Sequence, residues 1–183
     1  MPRSQIENRN FLAPTGFKFV LDRSPKVVFF CNQANIPDIN LAVATQPTSI
    51  GRKIPHPGDE LDFGDLNLRF LVDENLENYM EIQNWMRGLG YPSDLQQLYD
   101  LQKSYRPEIF EDVGPLNVYS DGALMVLNSS QISTFQVRFK DLFPYSLSTL
   151  SFDSTQTDVE YFTADVSFKY TIYTINNMNG EEL

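Results

Sequence analysis

The chain has very few residues of the types on which most enzyme and metal sites depend. Its 183 residues include one cysteine, Cys31, and one histidine, His56. A lone cysteine excludes an intrachain disulfide and a cysteine-based zinc site, and it favours a reducing compartment. A lone histidine supplies only one imidazole base, and no GxSxG elbow, papain-like cysteine motif or phosphate-binding loop accompanies it. We therefore predict that the protein is not an enzyme and uses no cofactor.

Positive charge and long apolar runs are also scarce. The 14 Lys and Arg residues are outnumbered by 24 Asp and Glu residues, which gives a formal net charge of -10. This charge opposes binding to phosphate backbones, which requires cationic side chains. No run approaches the roughly 20 apolar residues that span a bilayer, and residues 1–17 contain no apolar stretch of signal-peptide length. We expect a soluble intracellular protein, or one released by lysis, without a membrane partner.

Aromatic residues, in contrast, are abundant. They make up 13% of the chain, with 14 Phe and 9 Tyr, and they favour pleated sheet surfaces over helical bundles. The length suits one substantial core. We predict an N-terminal arm at residues 1–15 and a single domain at 16–183, with a helical insert at about 75–107.

Hydrophobic periodicity predicts a mainly β (α+β) fold. Alternating or continuous apolar residues predict strands at 17–21, 26–31, 66–72, 123–127, 135–140 and 166–173. A turn at Ser120-Asp121-Gly122 is expected to precede the fourth of these. One helix is predicted at about 76–88, with Asn75 as its cap and Gly88 and Gly90 at its end, and a shorter one from Ser93 to before Pro107. The predicted structural core includes Trp85, Phe70 and Phe168.

The segment HPGDELDFGD, at residues 56–65, is the densest cluster of acids in the chain. An EF-hand loop starting at Asp59 would place Leu61 and Phe63 at ligand positions, so the calcium interpretation fails. Zinc would need more nitrogen or sulfur ligands, whereas residue types alone leave a magnesium site open. We expect no metal, and we predict a turn region at Pro55, Pro57 and Gly58. A long strand would then run from Glu60 to Val72 with its acids facing water.

Several segments occur in the order found in one family. They are CNQANIP, GRKIPHPGDELDFGDLNLRFLVDEN, IQNWM and FKDLFPYSLSTLSFD, followed by a closing alternating strand. Over roughly residues 17 to 175 they resemble the tail tube protein family of contractile-tailed bacteriophages. The resemblance includes a basic approach to a hairpin at Gly51, Arg52 and Lys53, a helix with a buried tryptophan, and an aromatic-Pro corner at Phe143-Pro144 before a strand like Leu150 to Asp153.

The resemblance implies a tail-tube-like β-barrel or sandwich with a flanking α-helix, an architecture that type VI secretion tubes share. It implies that six copies close into a ring, that rings stack into a tube, and that DNA passes through without sequence-specific binding. The expected partners are the protein itself, the tail sheath and baseplate proteins. The expected location is the virion tail, assembled in the host cytoplasm.

The candidate residues for lumen or inter-ring contact are Arg52, Lys53, Asp59, Glu60, Asp62 and Asp65. An anionic wall would keep the phosphate backbone from adsorbing. Two departures from the family pattern, the arm at 1–14 and the long insert at 89–113, leave open a baseplate-proximal initiator or a tail-end variant. A standalone β-rich adaptor or ligand-binding domain is the alternative from a different class.

Overall fold

The structure, a computed structural model, describes residues 16–24, 27, 30–49, 51–105, 118–128, 130, 132–152, 161–177 and 180–183. Within them the chain forms nine strands: β1 Phe17–Leu21, β2 Cys31–Ala34, β3 Ile39–Pro47, β4 Lys53–Phe63, β5 Leu66–Leu71, β6 Ser120–Leu127, β7 Ser133–Leu147, β8 Thr163–Lys169 and β9 Ile172–Asn177. It also forms two helices, α1 Glu77–Gly90 and α2 Gln96–Tyr105. The mainly β fold with a flanking helix is confirmed. The predicted arm at 1–15 lies outside the described residues.

Seven strands form one antiparallel sheet that is bent at β7. Its order is β1-β6-β7-β8-β5-β2, and β9 also pairs with β7. The first part of β7 pairs with β6 and β9, whereas its last residues pair with β8. The bend occurs where Asp141 takes a positive φ of 58° and where Tyr170 and Thr171 separate β8 from β9. Among the described residues no pairing joins β1 to β2, so the strands form a folded sheet and not a closed barrel.

The core lies between the two halves of this bent sheet. Alternate residues of β1, β6 and β7 meet alternate residues of β5 and β8 in one apolar cluster. Phe70 and Phe168 are fully buried within it. Cys31 is half-buried at its margin, and burial raises the pKa of its thiol to about 11, so the thiol stays protonated at neutral pH.

Helix α1 covers this core through Trp85, whose side chain is only 2% exposed. The indole Nε1 donates a hydrogen bond to the Val118 carbonyl at 2.9 Å, and the ring lies 6.1 Å from that of Phe168. The Arg23 guanidinium lies over the indole, 5.2 Å from the ring centre, and donates to the Leu101 carbonyl in α2. Trp85 and Arg23 therefore connect both helices to the sheet. Neither helix is long and apolar enough to span a membrane.

The ends of α1 differ from the prediction. The residue before the helix is Leu76, which has a φ of 58° and no side-chain cap, so Asn75 is not the cap. Instead, the Asp73 carboxylate accepts from the Asn78 backbone N–H, while the side-chain oxygen Oδ1 of Asn78 accepts from the Asp73 backbone N–H. Gly90 is the last residue of α1, as predicted, whereas Gly88 lies before that end, where a Cβ would approach the Leu101 side chain to 2.8 Å. Its role is close packing of α1 against α2.

The predicted turn at Ser120-Asp121-Gly122 is wrong, because these residues begin β6, with a shift of register between Ser120 and Gly122. Gly122 pairs with Phe139 and Leu21 in neighbouring strands, and a Cβ there would lie 2.6 Å from the Leu142 side chain. The turn lies instead after Asn128, whose side-chain oxygen accepts from the backbone of residues 130 and 132. Of the strand predicted at 26–31, only Cys31 belongs to β2; Val27 and Phe30 are not in a strand, and residues 26, 28 and 29 lie outside the described part. Leu150 to Phe152 are not in a strand.

Candidate functional site: the β3–β4 hairpin

Strands β3 and β4 form a separate two-stranded sheet, which we call the hairpin. They pair from Ile39 with Phe63 at the base to Pro47 with Lys53 near the tip. No pairing with any other described strand is present. Nine residues of extended chain reach about 27 Å, so the hairpin extends far from the core.

One face of the hairpin is apolar and uncovered. Its large side chains are Ile39, Leu41, Val43 and Leu61, which are 51%, 48%, 63% and 54% exposed. Leu41 and Leu61 are directly paired across the strands, and all nine residues of β3 are exposed. An isolated two-stranded hairpin is marginally stable in water, and contiguous exposed apolar surface marks an interaction site. The hairpin therefore has the properties of an interface that is unoccupied in the single chain.

The tip and an internal bulge determine the register of the hairpin. The Thr48 amide donates to the Arg52 carbonyl at 3.0 Å, and the Thr48 hydroxyl donates to the same oxygen at 2.6 Å. Gly51 has a φ of 76°, a conformation that glycine adopts without strain. The register shifts opposite Ala42, where a Cβ on Gly58 would lie 2.7 Å from the Ala42 carbonyl.

The turn predicted at Pro55, Pro57 and Gly58 is thus wrong, since these residues lie inside β4. Both strands of a two-stranded sheet are edge strands, so prolines are tolerated wherever the missing N–H would face outward. The predicted strand from Glu60 to Val72 is also divided, because Gly64 and Asp65 separate β4 from β5.

Aromatic contacts hold the base of the hairpin on the sheet. The Phe63 ring contacts those of Tyr170 and Tyr173 edge to face, at 6.3 and 5.7 Å. The Tyr170 hydroxyl donates to the Gly64 carbonyl at 2.8 Å, and the Tyr173 hydroxyl donates to the Pro37 carbonyl at 3.1 Å. Burial raises the pKa of Tyr170 to about 12, so its hydroxyl remains a donor at neutral pH.

Asp65, at this base, is held by a cation and a phenol. The Lys169 ammonium lies 2.5 Å from Asp65 Oδ1, and the Tyr145 hydroxyl donates to Oδ2. The Lys169 ammonium also lies 5.6 Å from the Tyr145 ring centre. Hydrogen bonds from Lys169 and then Tyr145 lower the pKa of Asp65, and the same partnership raises the pKa of Lys169. The carboxylate is therefore a structural ion-pair partner.

The structure separates the six charged candidates into three places. Arg52 lies in the tip, and Lys53 begins β4. Asp59, Glu60 and Asp62 lie on exposed parts of β4, whereas Asp65 lies at the base. Of the other residues in the acidic segment, the His56 ring hydrogen-bonds Gln46 across the strands at 3.1 Å. Within the described residues no three His, Cys, Asp or Glu side chains come together as metal ligands.

The sequence reasoning missed β3 altogether. A signal was present, because Ile39, Leu41 and Val43 alternate with the smaller or polar residues between them. Alternation alone would have predicted a strand with one buried face. The exposure of that face could not have been predicted from it.

The chain is similar in sequence to one protein family and similar in fold to several solved structures. A family model described as phage tail tube protein matches residues 5–176. No curated protein sequence matches the chain.

Solved structures with this fold include components of contractile injection systems. The tube-terminating cap of the anti-feeding prophage has a TM-score of 0.58 at 16% identity, over 95% of this chain and 96% of that chain. A chain of the PVC sheath-tube complex, from an extracellular contractile injection system in the extended state, has a TM-score of 0.57 at 14% identity, over 93% and 94%. The PVC sheath/tube terminator has 0.57 at 15% identity, over 92% and 99%. At these identities, the structural agreement shows a common fold.

Proposed function

This chain belongs to the phage tail tube protein family, and from that premise we propose that it is a structural subunit of a tail tube. In this proposal six copies close into a ring, rings stack into a tube, and DNA passes through the lumen without sequence-specific binding. The protein performs no catalysis. Its partners are other copies of itself, the tail sheath and the baseplate, and its location is the virion tail, assembled in the host cytoplasm.

The observation that carries the proposal is the uncovered apolar face of the hairpin. The four exposed side chains Ile39, Leu41, Val43 and Leu61 would be unfavourable on a protein that works alone. A second copy of the chain can cover this face. If it does so with a different part of its surface, every subunit can make the same contact, and the contacts build closed rings or open stacks. The open edges of the bent sheet, at β1 and β2, offer further places for pairing between copies.

The charge of the chain is compatible with a conduit. A net charge of -10 disfavours adsorption of the phosphate backbone, which a channel for DNA must avoid. We propose that Asp59, Glu60 and Asp62 face the lumen or a neighbouring ring. Asp65 takes a different role, because Lys169 and Tyr145 already hold it within the subunit.

The test compares assembly of the wild-type chain with two hairpin variants by sedimentation velocity and negative-stain microscopy. Changing Leu41, Val43 and Leu61 together to serine removes the apolar face, and we expect this variant to remain monomeric. The matched control changes Asn40 and Ala44, on the opposite face of β3, to serine and should assemble like the wild type. Rings or tubes of wild-type protein support the proposal.

A wild-type chain that stays monomeric, both purified and in particles, overturns the tube proposal and favours a standalone adaptor. Assembly of the triple variant at the wild-type level overturns the role of the hairpin. The number of copies of this chain per particle distinguishes the body of the tube from its ends, since the body contains many rings whereas an initiator or terminator contains few.

A further inference from the structure

A second apolar surface, which is open to solvent, lies at the end of β5 that is remote from the hairpin base. It is a pocket of about 750 Å³ between the residue before β2, the connection from β5 to α1, and the residues that flank β8. We call it the aromatic pocket. Its apolar lining consists of Phe30, Leu71, Val72, Leu76, Phe152 and Phe162, with Tyr161 beside them.

The aromatic side chains at its mouth are strongly exposed. Phe152 is 73% exposed and Tyr161 is 83% exposed. The rings of Phe152 and Phe162 pack on each other with centres 4.8 Å apart, so they form a continuous surface. Exposed aromatic side chains that line a concave surface are typical of the centre of protein interfaces.

The rim of the aromatic pocket is acidic. Asp73 and Glu74 belong to its lining. Glu74 is exposed and has no ion pair within the described residues. The rim can therefore attract a cation supplied by a partner.

The hairpin has the complementary properties. Its faces near the tip carry Val43 and Ile54, which are exposed, and the tip itself carries the cations Arg52 and Lys53. Neither cation has an ion pair within the described part of the chain. The hairpin is apolar with a basic tip, and the aromatic pocket is concave and apolar with an acidic rim. The two surfaces are therefore complementary in shape and in charge.

We propose that the aromatic pocket is the acceptor for the hairpin of a second copy of this chain. This inference rests on the proposed function and deepens it, because it names the two surfaces through which neighbouring subunits connect. The contact is between copies, since the hairpin of the same chain leaves its apolar face exposed. Each subunit then inserts its hairpin into one neighbour and binds the hairpin of another in its own pocket. Such a contact between two different surfaces either continues from subunit to subunit or closes into a ring.

A neighbouring surface is less suited to receive the hairpin. The outward side chains of β5 and β8 are already paired with each other: Arg69 binds Asp165 at 2.7 Å, and Ser167 donates to Asn67 at 2.7 Å. A partner there would have to replace contacts that exist within the subunit. The aromatic pocket requires no such replacement.

Cross-linking between two differently tagged chains tests the contact. Both chains carry Cys31→Ala. One also carries Lys53→Cys and the other Glu74→Cys, and they are mixed, assembled and treated with a short bis-maleimide. We expect a cross-linked species containing both tags. The control replaces Lys53→Cys by Lys18→Cys, a change at an exposed residue of β1, and should give at least about tenfold less product.

Charge reversal supplies an independent readout. Glu74→Lys alone, or Arg52→Glu with Lys53→Glu, should weaken association at least about tenfold, and the combination of all three changes should restore most of it. These side chains are exposed, so the thermal midpoints of the unassembled variants should match that of the wild type.

Wild-type tubes with no mixed cross-link above the control overturn the acceptor assignment and leave the tube proposal standing. The acceptor assignment is also overturned if the charge reversals weaken association but the combined variant does not restore it. A cross-link formed within one chain that carries both cysteines would overturn it as well. A wild-type chain that never associates overturns the acceptor assignment together with the proposed function.

Discussion

Truncation of Trp85 should be among the most damaging changes to the fold outside the assembly surfaces. The indole is 2% exposed and packs on Phe168, so Trp85→Ala removes a large buried ring and leaves a cavity. Such changes cost about 3 to 5 kcal/mol. At about 2 to 4 °C per kcal/mol for a chain of this size, the thermal midpoint should fall by roughly 6 to 20 °C.

A second substitution separates the hydrogen bond from the packing. Trp85→Phe keeps a ring in place but leaves the Val118 carbonyl without its donor at 2.9 Å. An orphaned buried acceptor costs about 1 to 3 kcal/mol, so this variant should lie between the wild type and Trp85→Ala. Met80→Ala, at an exposed residue of α1, is the matched control and should change the stability by less than about 0.5 kcal/mol.

The assays are thermal denaturation and urea denaturation, both followed by far-ultraviolet circular dichroism, at a concentration at which sedimentation shows only monomer. Association would otherwise raise the apparent stability through mass action. If Trp85→Ala is within about 1 kcal/mol of the wild type, the helix does not cover the core as described. The same conclusion would follow if Met80→Ala were as damaging as Trp85→Ala.

Two further predictions concern the hairpin base and the contact between the helices. Since the pKa of Asp65 is lowered by Lys169 and Tyr145, its ionised form stabilises the fold above about pH 4, and this contribution is lost as the pH falls through the folded pKa. Asp65→Asn should therefore be less stable than the wild type at pH 6 in urea titrations, and the difference should shrink as the pH falls through the folded pKa of Asp65; a constant difference would contradict the pairing. Gly88→Ala should be about 1 to 3 kcal/mol less stable than Gly90→Ala, because a Cβ would lie 2.8 Å from Leu101 in the first case and has nothing within 4 Å in the second. Equal stabilities by thermal denaturation would show that α1 and α2 do not pack as closely as described.

Local sequence patterns predicted the elements whose pattern matches their burial. Leu66, Leu68 and Phe70 alternate in the sequence and are the buried residues of β5. The apolar spacing around Ile82 and Trp85 predicted a helix, and both side chains are buried in α1. Periods of 2 and 3.6 residues are properties of the backbone, so one sequence is enough to detect them.

Glycine and proline misled the prediction because their roles are not local. Gly122 was expected in a turn but lies in a strand where Leu142 packs closely on it. Pro55 and Pro57 were expected in a turn but lie in a hairpin strand. Each residue is compatible with both situations, and the neighbouring strand decides between them.

By itself, then, the sequence determined a β-rich chain with a tryptophan-bearing helix, an acidic charge and no familiar catalytic motif. It also contained the order of segments that resembles the tail tube family. Only the tertiary structure decided that the apolar face of β3 and β4 stays uncovered, that Asp65 is bound by Lys169 and Tyr145, and that aromatic side chains from distant segments meet in one pocket. The physical reason is that periodicity shows which side chains share a face, whereas burial depends on what the rest of the chain places against that face.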